Sequence, residues 1–355
     1  MEHMTQTKIF PCVRSVPYPT LNVSQENDFI IVQLNYRVSA LGFLPGKKVK
    51  DSPDSDLNVG LLDQQFALQW VQRHIDKFGG DANNVSIWGQ SAGGGSVVAQ
   101  LIANGGETSP KLFRRAMANS PFWPKTYRYD STEAEALYDG MVSLTGCGGV
   151  KDSLQCLKTV DAQIIRDASL NISKLQEVAA SKGRVNANVV LAMYNTHEGE
   201  TFRPSGLTRR TNGSTTPFET WVKGFVPGLA LEAVEALYPP NGSTETLTYG
   251  DDSTRAGLIY RDVVLACPAL WVAKAPGNKG WLGEYIISPA KHASDIVYTG
   301  SPDDMESPRS KNITLPEIET GRQFLVTPSG FGEVELSSLE ERCAFWKANG
   351  EKIPV

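Results

Sequence analysis

The 355-residue sequence has little with which to hold a metal ion. It carries four histidines and five cysteines, and no two cysteines stand in C-x-x-C spacing. A zinc site needs three or four such ligands, so none is expected. A basic cluster is also lacking and the formal charge is −5, which argues against nucleic acid as a partner. No apolar run approaches 18 residues, so no transmembrane helix is expected. The opening MEHMTQTKIF has no apolar stretch of the kind a signal peptide requires. No internal repeat and no heptad pattern is present. What is present is a chain with 41% hydrophobic residues, enough for a sizeable core in one large α/β domain or two smaller ones.

The most informative stretch is Phe78 to Ser96, FGGDANNVSIWGQSAGGGS. Within it, Gly89-Gln90-Ser91-Ala92-Gly93 fits G-x-S-x-G. That pattern places a serine on a sharp turn between a strand and a helix. Val85 to Trp88 is short, apolar and rich in β-branched residues, as a buried strand should be. Ala92 to Ala99 is nearly all small, so a helix there can cross a sheet closely. Glycines at 89 and 93 leave the turn free of Cβ clashes. A phosphate-cradling loop is the competing reading, but it needs a lysine after the glycines and none follows.

The surrounding pattern alternates. Asp28 to Val38 reads as a buried strand. Leu61 to Phe78 reads as an amphipathic helix with Leu62, Phe66, Leu68, Trp70, Val71 and Ile75 apolar, stopped by Gly79-Gly80. The 85–88 strand and its helix follow, then a short strand over Arg114 to Asn119. This order predicts a mostly parallel sheet with helices on both faces. From 130 to 182 the pattern is helical and polar. Asn188 to Tyr194 and Leu282 to Ser288 read as strands. Thr216 to Leu237, Ser253 to Lys274 and Leu339 to Asn349 read as helices, and residues 298–320 as loop. Residues 1–27 show no periodicity and read as an irregular segment before a single domain over 28–355.

A serine nucleophile needs a base, and the base needs a group to orient it. In proteins with this turn the chain order is Ser, then Asp or Glu, then His. His74 precedes Ser91 and reads as an ordinary helix-surface histidine. The strand at 188–194 is followed by Asn195-Thr196-His197-Glu198, which makes Glu198 the acid candidate. His197 precedes that acid and is removed as base. The strand at 282–288 is followed by Pro289-Ala290-Lys291-His292, leaving His292 as the base at the C-terminal end of a strand. The plain alternative for each is a surface loop residue.

These residues carry a resemblance. Asn35-Tyr36-Arg37, Leu41 to Leu44, Gly60 to Gln65 and Phe78 to Gly93 resemble the type-B carboxylesterase family, which includes cholinesterases and fungal secreted esterases and lipases. Phe113 to Ala116 continues it, Glu198-Gly199 is similar to its acid motif, and His292 to Asp295 to its base motif. The resemblance implies the α/β-hydrolase fold, no cofactor, and hydrolysis of small-molecule carboxylic esters through an acyl-enzyme. It implies Ser91, Glu198 and His292 as catalytic residues, Ala92 N–H as an oxyanion donor, and Ser120 as a support for the acid. Phe122 and Trp123 take the place of an acyl pocket. Cys147 with Cys156, and Cys267 with Cys343, resemble family disulfides, while Cys12 has no counterpart. The family is secreted, and six N-x-[ST] sequons, at Asn22, Asn84, Asn171, Asn212, Asn241 and Asn312, fit glycosylation.

The chain also departs from that pattern. Family members run to roughly 500 residues, and the first strands and the HGG-type loop that supplies further oxyanion donors have no counterpart before Asp28. Shortenings also precede Gly183 and follow His292. Gln90 stands where glutamate is commoner. An incomplete domain of impaired activity is therefore expected, and a non-catalytic binding or adhesion protein, or an inactive truncated product, is the alternative.

Overall fold

Alternation of apolar, β-branched runs with helical segments dictates a layered α/β structure, and the computed structural model has one. It describes residues 5–10, 29–123, 127–172, 186–204, 207, 217–275, 279–297 and 315–350. Ten strands are seen among them: β1 (Thr5–Phe10), β2 (Phe29–Gln33), β3 (Gly80–Gln90), β4 (Arg115–Asn119), β5 (Val189–Asn195), β6 (Gly242–Ser243), β7 (Thr248–Tyr249), β8 (Lys279–Tyr285), β9 (Arg322–Thr327) and β10 (Gly330–Glu335). Eight of these form one sheet in the order β10-β9-β8-β5-β4-β3-β1-β2. All neighbours in it are parallel except the β9–β10 hairpin. β6 and β7 make a separate ribbon.

β4, β5 and β8 sit where the apolar runs predicted them, shifted by one to three residues, whereas β3 begins at Gly80, five residues before the run at 85–88. β4 and β5 are buried at every position, as a strand covered on both faces must be. Two differences stand out. Thr5–Phe10, inside the segment expected to be irregular, pairs with both β2 and β3. The β9–β10 hairpin was not anticipated. Its turn, Thr327-Pro328-Ser329-Gly330, has the proline–glycine chemistry of a tight turn, with Gly330 at φ +119°. Cys12 and the sequons at Asn22, Asn212 and Asn312 lie outside the described residues, as does most of the loop expected over 298–320.

Helices flank the sheet: α1 (Val59–His74), α2 (Ala92–Ile102), α3 (Thr132–Leu144), α4 (Ser153–Thr159), α5 (Ala162–Ile172), α6 (Pro217–Phe225), α7 (Leu231–Leu237), α8 (Asp252–Ala273) and α9 (Ser337–Ala348). Their starts follow capping chemistry. Ser131 accepts from Ala134 N, Asp152 from Gln155 N, and Asp251 from Ser253 N and Thr254 N. α1 corrects an expectation. Leu68 and Val71 face the core beside Gly60 and Gln64, whereas Leu62, Phe66 and Trp70 are exposed. The helix carries two apolar stripes, and the one with small Gly60 at its head allows the closer approach.

α8 is 22 residues long and apolar enough to span a membrane by length and hydropathy, but 89% of its most apolar window is buried inside the protein. It is interrupted by a π-turn over Asp262–Ala266, and Cys267 N donates to Asp262 O, five residues back. Arg261 and Asp262 sit at this turn. Asp262 is fully buried and takes Arg261 on one oxygen at 2.8 Å and Arg342 of α9 on the other at 2.6 Å. Arg261 also reaches Glu284 of β8 at 3.3 Å. Tyr238 donates to Asp262 at 3.0 Å, and Trp346 Nε1 donates to Tyr238 at 2.7 Å. The Cys267–Cys343 disulfide, with Cα atoms 5.2 Å apart, joins the same two helices. Cys147–Cys156, at 5.8 Å, closes the short loop between α3 and α4. Both pairs are those the family resemblance implied.

Burial pushes the Asp262 carboxyl up, and Arg261 with Arg342 more than offsets that, so it lies below the usual carboxylate range. Asp262→Ala would leave two buried guanidinium groups short of a partner, at a cost of about 3–5 kcal/mol, measurable by urea unfolding at neutral pH. A depressed folded-state value means that this stabilisation is present above the unfolded carboxyl's value and is lost as pH falls through the folded one. The gap between the wild type and Asp262→Asn should therefore shrink in acid.

Candidate active site

The site forms where β3, β5 and β8 end on the same edge of the sheet. β3 ends at Gln90, and the chain turns into α2 at Ser91 with φ +56° and ψ −121°. That is a costly conformation for a residue with a side chain, on the order of 1–3 kcal/mol. Its neighbours hold it there. Ser91 N donates to Asn119 O of β4 at 2.9 Å, and Ser91 O accepts from Gly95 N at 2.9 Å and Phe122 N at 3.0 Å. The glycines are required by space. A Cβ on Gly89 would lie 2.1 Å from Gly93 O, and one on Gly95 would lie 2.0 Å from Phe122 O. The small residues of α2 thus bring the helix against the chain leaving β4, as the run from Ala92 to Ala99 predicted.

Glu198 begins the 3₁₀ turn after β5 and is completely buried. Its Oε2 accepts from Asn195 N at 3.0 Å and its Oε1 from Asn195 Nδ2 at 3.3 Å. His292 lies in the loop after β8, between Ala290 at φ +46° and Ala293 at φ +71°. His292 Nδ1 meets Glu198 Oε1 at 2.5 Å. His197 N donates to Ala290 O at 2.9 Å and ties the two loops together. His197 itself pairs with Glu200 at 2.6 Å. His74 packs at a tilt against Trp70 at the end of α1, with ring centroids 5.2 Å apart, away from this edge.

A second tier of buried polar groups supports the acid. Asn195 Nδ2 also meets Asp295 Oδ1 at 3.0 Å and Ser120 Oγ at 3.3 Å. Asn119 Nδ2 donates to Asp295 Oδ2 at 2.6 Å, and Trp88 Nε1 donates to Asn119 Oδ1 at 2.5 Å. Burial, and then the neighbouring Glu198 charge, push the Asp295 carboxyl above its usual range. Ser120 Oγ and Glu198 Oε1 thus meet the same Asn195 Nδ2. Neither Asn119 nor Asp295 was singled out in this role by type, although Asp295 closes the His292 to Asp295 motif.

Two contacts to the imidazole were not anticipated. Gln90 Nε2 lies 3.1 Å from His292 Nε2, and the Phe202 ring meets the imidazole edge-on with centroids 4.8 Å apart. From Phe202 an aromatic row runs through Tyr260 at 5.0 Å, Phe225 at a further 5.5 Å and Trp221 at a further 4.9 Å. Phe122 packs on the cluster around Tyr260, whereas Trp123 packs on the main core. Trp123 Nε1 is buried without a hydrogen-bond partner among the described residues.

With this geometry in view, residues 12–211 match the model of the carboxylesterase family. The chain belongs to that family. The matched span includes the Ser91 turn and Glu198; His292 lies beyond it. The chain is 44% identical over 139 residues to a secreted triacylglycerol lipase of Gibberella zeae, covering 38% of this chain and 23% of that one. It is 28% identical over 370 residues to the carboxylesterase patB of Penicillium expansum, covering 90% and 63% respectively. It spans less than two thirds of the length of either relative. Among solved structures, Aspergillus niger EstA superposes with a TM-score of 0.74 at 22% identity, over all of this chain and 82% of EstA. A PNB esterase gives 0.70 at 19% identity, over 96% of this chain and 82% of that one. The fold is that of the α/β-hydrolases.

Gly95→Ala tests the close approach at the turn. The added methyl must displace Phe122 O or α2, and overpacking of this kind costs about 1–3 kcal/mol. The thermal midpoint should fall, while Gly105→Ala, where no atom lies within 4 Å but φ is +70°, serves as a control for backbone strain alone.

Proposed function

We propose that this chain is a serine hydrolase of small-molecule carboxylic esters that works through an acyl-enzyme. The observation that carries the reading is the 2.5 Å contact between His292 Nδ1 and the buried Glu198 carboxylate, beside a serine held in a strained strand-to-helix turn. A fully buried carboxylate is tolerated when it is hydrogen-bonded and meets a group that can become positive. Glu198 accepts two bonds from Asn195 and faces the imidazole, so it can stabilise the imidazolium without being protonated itself.

In this reading Ser91 Oγ attacks the ester carbonyl while its proton passes to His292 Nε2. The imidazolium then gives that proton to the departing alcohol. A water molecule repeats the sequence on the acyl-enzyme and releases the acid. Ala92 N–H, at the start of α2, donates to the oxyanion. It is the single donor the reading assigns, and each missing donor costs about 2.7–4 kcal/mol in the transition state, so slow turnover is expected. Phe122 and Trp123 are assigned to the acyl pocket on aromatic size and position. No cofactor is required by these steps. One catalytic domain over 28–355, extended to take in β1, belongs to the same reading, as do secretion and glycosylation; support comes from the relatives named as secreted lipases and from two disulfides, which persist in oxidising compartments.

A fluorophosphonate probe should label the purified chain on Ser91, and Ser91→Ala should abolish labelling. Labelling that survives in Ser91→Ala would discard the assignment. Glu198→Gln keeps the shape and removes the charge, and it should slow hydrolysis of a short nitrophenyl ester by about 10³–10⁴-fold with little change in the thermal midpoint.

A further inference from the structure

Thr196 follows Asn195, which donates to the Glu198 carboxylate, and stands two residues before the acid itself. It is buried, and each of its polar atoms is met from outside the turn. Thr196 N donates to Tyr285 O of β8 at 3.1 Å. Its Oγ1 donates to Glu284 Oε1, also on β8, at 2.9 Å, and its O accepts from Arg261 Nη1 of α8 at 3.3 Å. Arg261 Nη1 and Glu284 Oε1 are themselves 3.3 Å apart. The three residues therefore close a ring of contacts just ahead of Glu198. Arg261 and Glu284 are each 1% exposed, and both are held from further sides. Thr246 Oγ1 donates to Glu284 Oε1 at 2.7 Å and Gln323 Nε2 to Oε2 at 3.1 Å, while Arg261 lies over the Tyr194 ring at 5.2 Å. Beyond Glu198 the turn rests on α8 without clearance: a Cβ on Gly199 would lie 1.9 Å from Gly257 O and 2.7 Å from Arg261 N. Replacing a buried ion pair by well-packed apolar residues is often neutral or stabilising, so stability alone is a poor reason for one here. What the pair does supply is a single fixed place for the peptide it grips.

We propose that Arg261 and Glu284 are positioning residues for the triad acid: with Thr196 they form a clamp that sets where Glu198 meets His292. This rests on the triad reading above and adds to it a support from α8 and β8, separate from the Asn119–Asp295 tier. Both charges act through Thr196, not on the substrate. Their loss should slow the step that uses the base and leave binding alone, since a misplacement of about 1 Å can cost roughly a hundredfold in rate.

The test uses Thr196→Val, which keeps the shape and removes the hydroxyl, and Thr196→Ser, which restores it. Arg261→Met/Glu284→Gln removes both charges together, so that neither is left buried alone. Arg255→Met is the comparison, because Arg255 is buried on the same helix but bonds Tyr238 O and Glu235. The first readout is the saturation kinetics of fluorophosphonate labelling, in which Ser91 Oγ bonds phosphorus, its proton passes to His292 Nε2 and fluoride leaves. The second is the low-field ¹H NMR signal of the His292 Nδ1 proton on its short bond to Glu198, assigned by its loss in His292→Gln. Thr196→Val and the double variant should label roughly ten- to a hundredfold more slowly at saturation. Their half-saturating probe concentration should be unchanged, and their low-field signal should move upfield. Thr196→Ser should recover the wild-type rate and signal. Arg255→Met should lower the thermal midpoint and leave both readouts as in wild type. A wild-type rate or an unmoved signal in Thr196→Val would overturn the proposal. So would slowing that lies only in probe binding, or an equal loss in Arg255→Met, which would mark a general loosening of the fold. Should the double variant not fold, Glu284→Gln, in which Arg261 keeps Asp262, takes its place under the same expectations. If wild type is not labelled at all, the triad reading fails, and the low-field signal still decides whether the clamp sets the acid.

Discussion

A carboxylate with no exposure to water sets the terms for this edge of the sheet. Glu198 has lost its hydration, so its oxygens must be met by protein donors. Two come from Asn195, the last residue of β5, and one from His292. These demands fix where the β5 turn and the β8 loop lie with respect to each other. They also explain the strained alanines on either side of His292: the loop bends where a short side chain permits it, so that the ring reaches the acid. Asn195 spends its amide N–H groups on Glu198, Asp295 and Ser120 and leaves its own Oδ1 buried without a partner among the described residues, a cost borne for the sake of the acids.

The nucleophile turn obeys a different constraint, that of space. Gly89, Gly94 and Gly95 lie against backbone atoms of the turn, β4 and the chain beyond it, at separations no Cβ could occupy. Close approach lets Asn119 and Phe122 bond the backbone of Ser91 from two sides. The strained serine is therefore held by peptide groups rather than by its own side chain, which stays free for chemistry.

Much of this was legible in the sequence because it depends on local pattern. The turn follows from G-x-S-x-G between a β-branched run and a small-residue run. The order Ser91, Glu198, His292 follows from which acids and histidines come after strands. Arg37 and Asp63, within stretches that carry the family resemblance, make a two-pronged ion pair that ties the chain after β2 to α1. What was hidden depends on side chains meeting across long separations. Gln90 and His292 are 202 positions apart, and Asn119 and Asp295 are 176 apart; no periodicity links them. On α1 the pattern misled, since Leu62, Phe66 and Trp70 repeat every four residues as a core stripe would, yet the packed face is that of Leu68 and Val71. β1 escaped notice because four of the six residues of Thr5–Phe10 are polar and the strand gains its place from pairing on both sides.

The π-turn in α8 has a consequence for how this gene can change in length. One extra residue is accommodated between Asp262 and Cys267. Deleting it would restore an ordinary helix and rotate everything downstream by about 100°. Cys267 would then turn away from Cys343, and the face that receives α9 would turn with it, while Arg261 and Asp262 stayed behind. The bulge, the disulfide and the buried ion pairs are thus in register with one another. Insertions and deletions should be absorbed by surface loops, while this helix keeps its residue count even where its side chains drift.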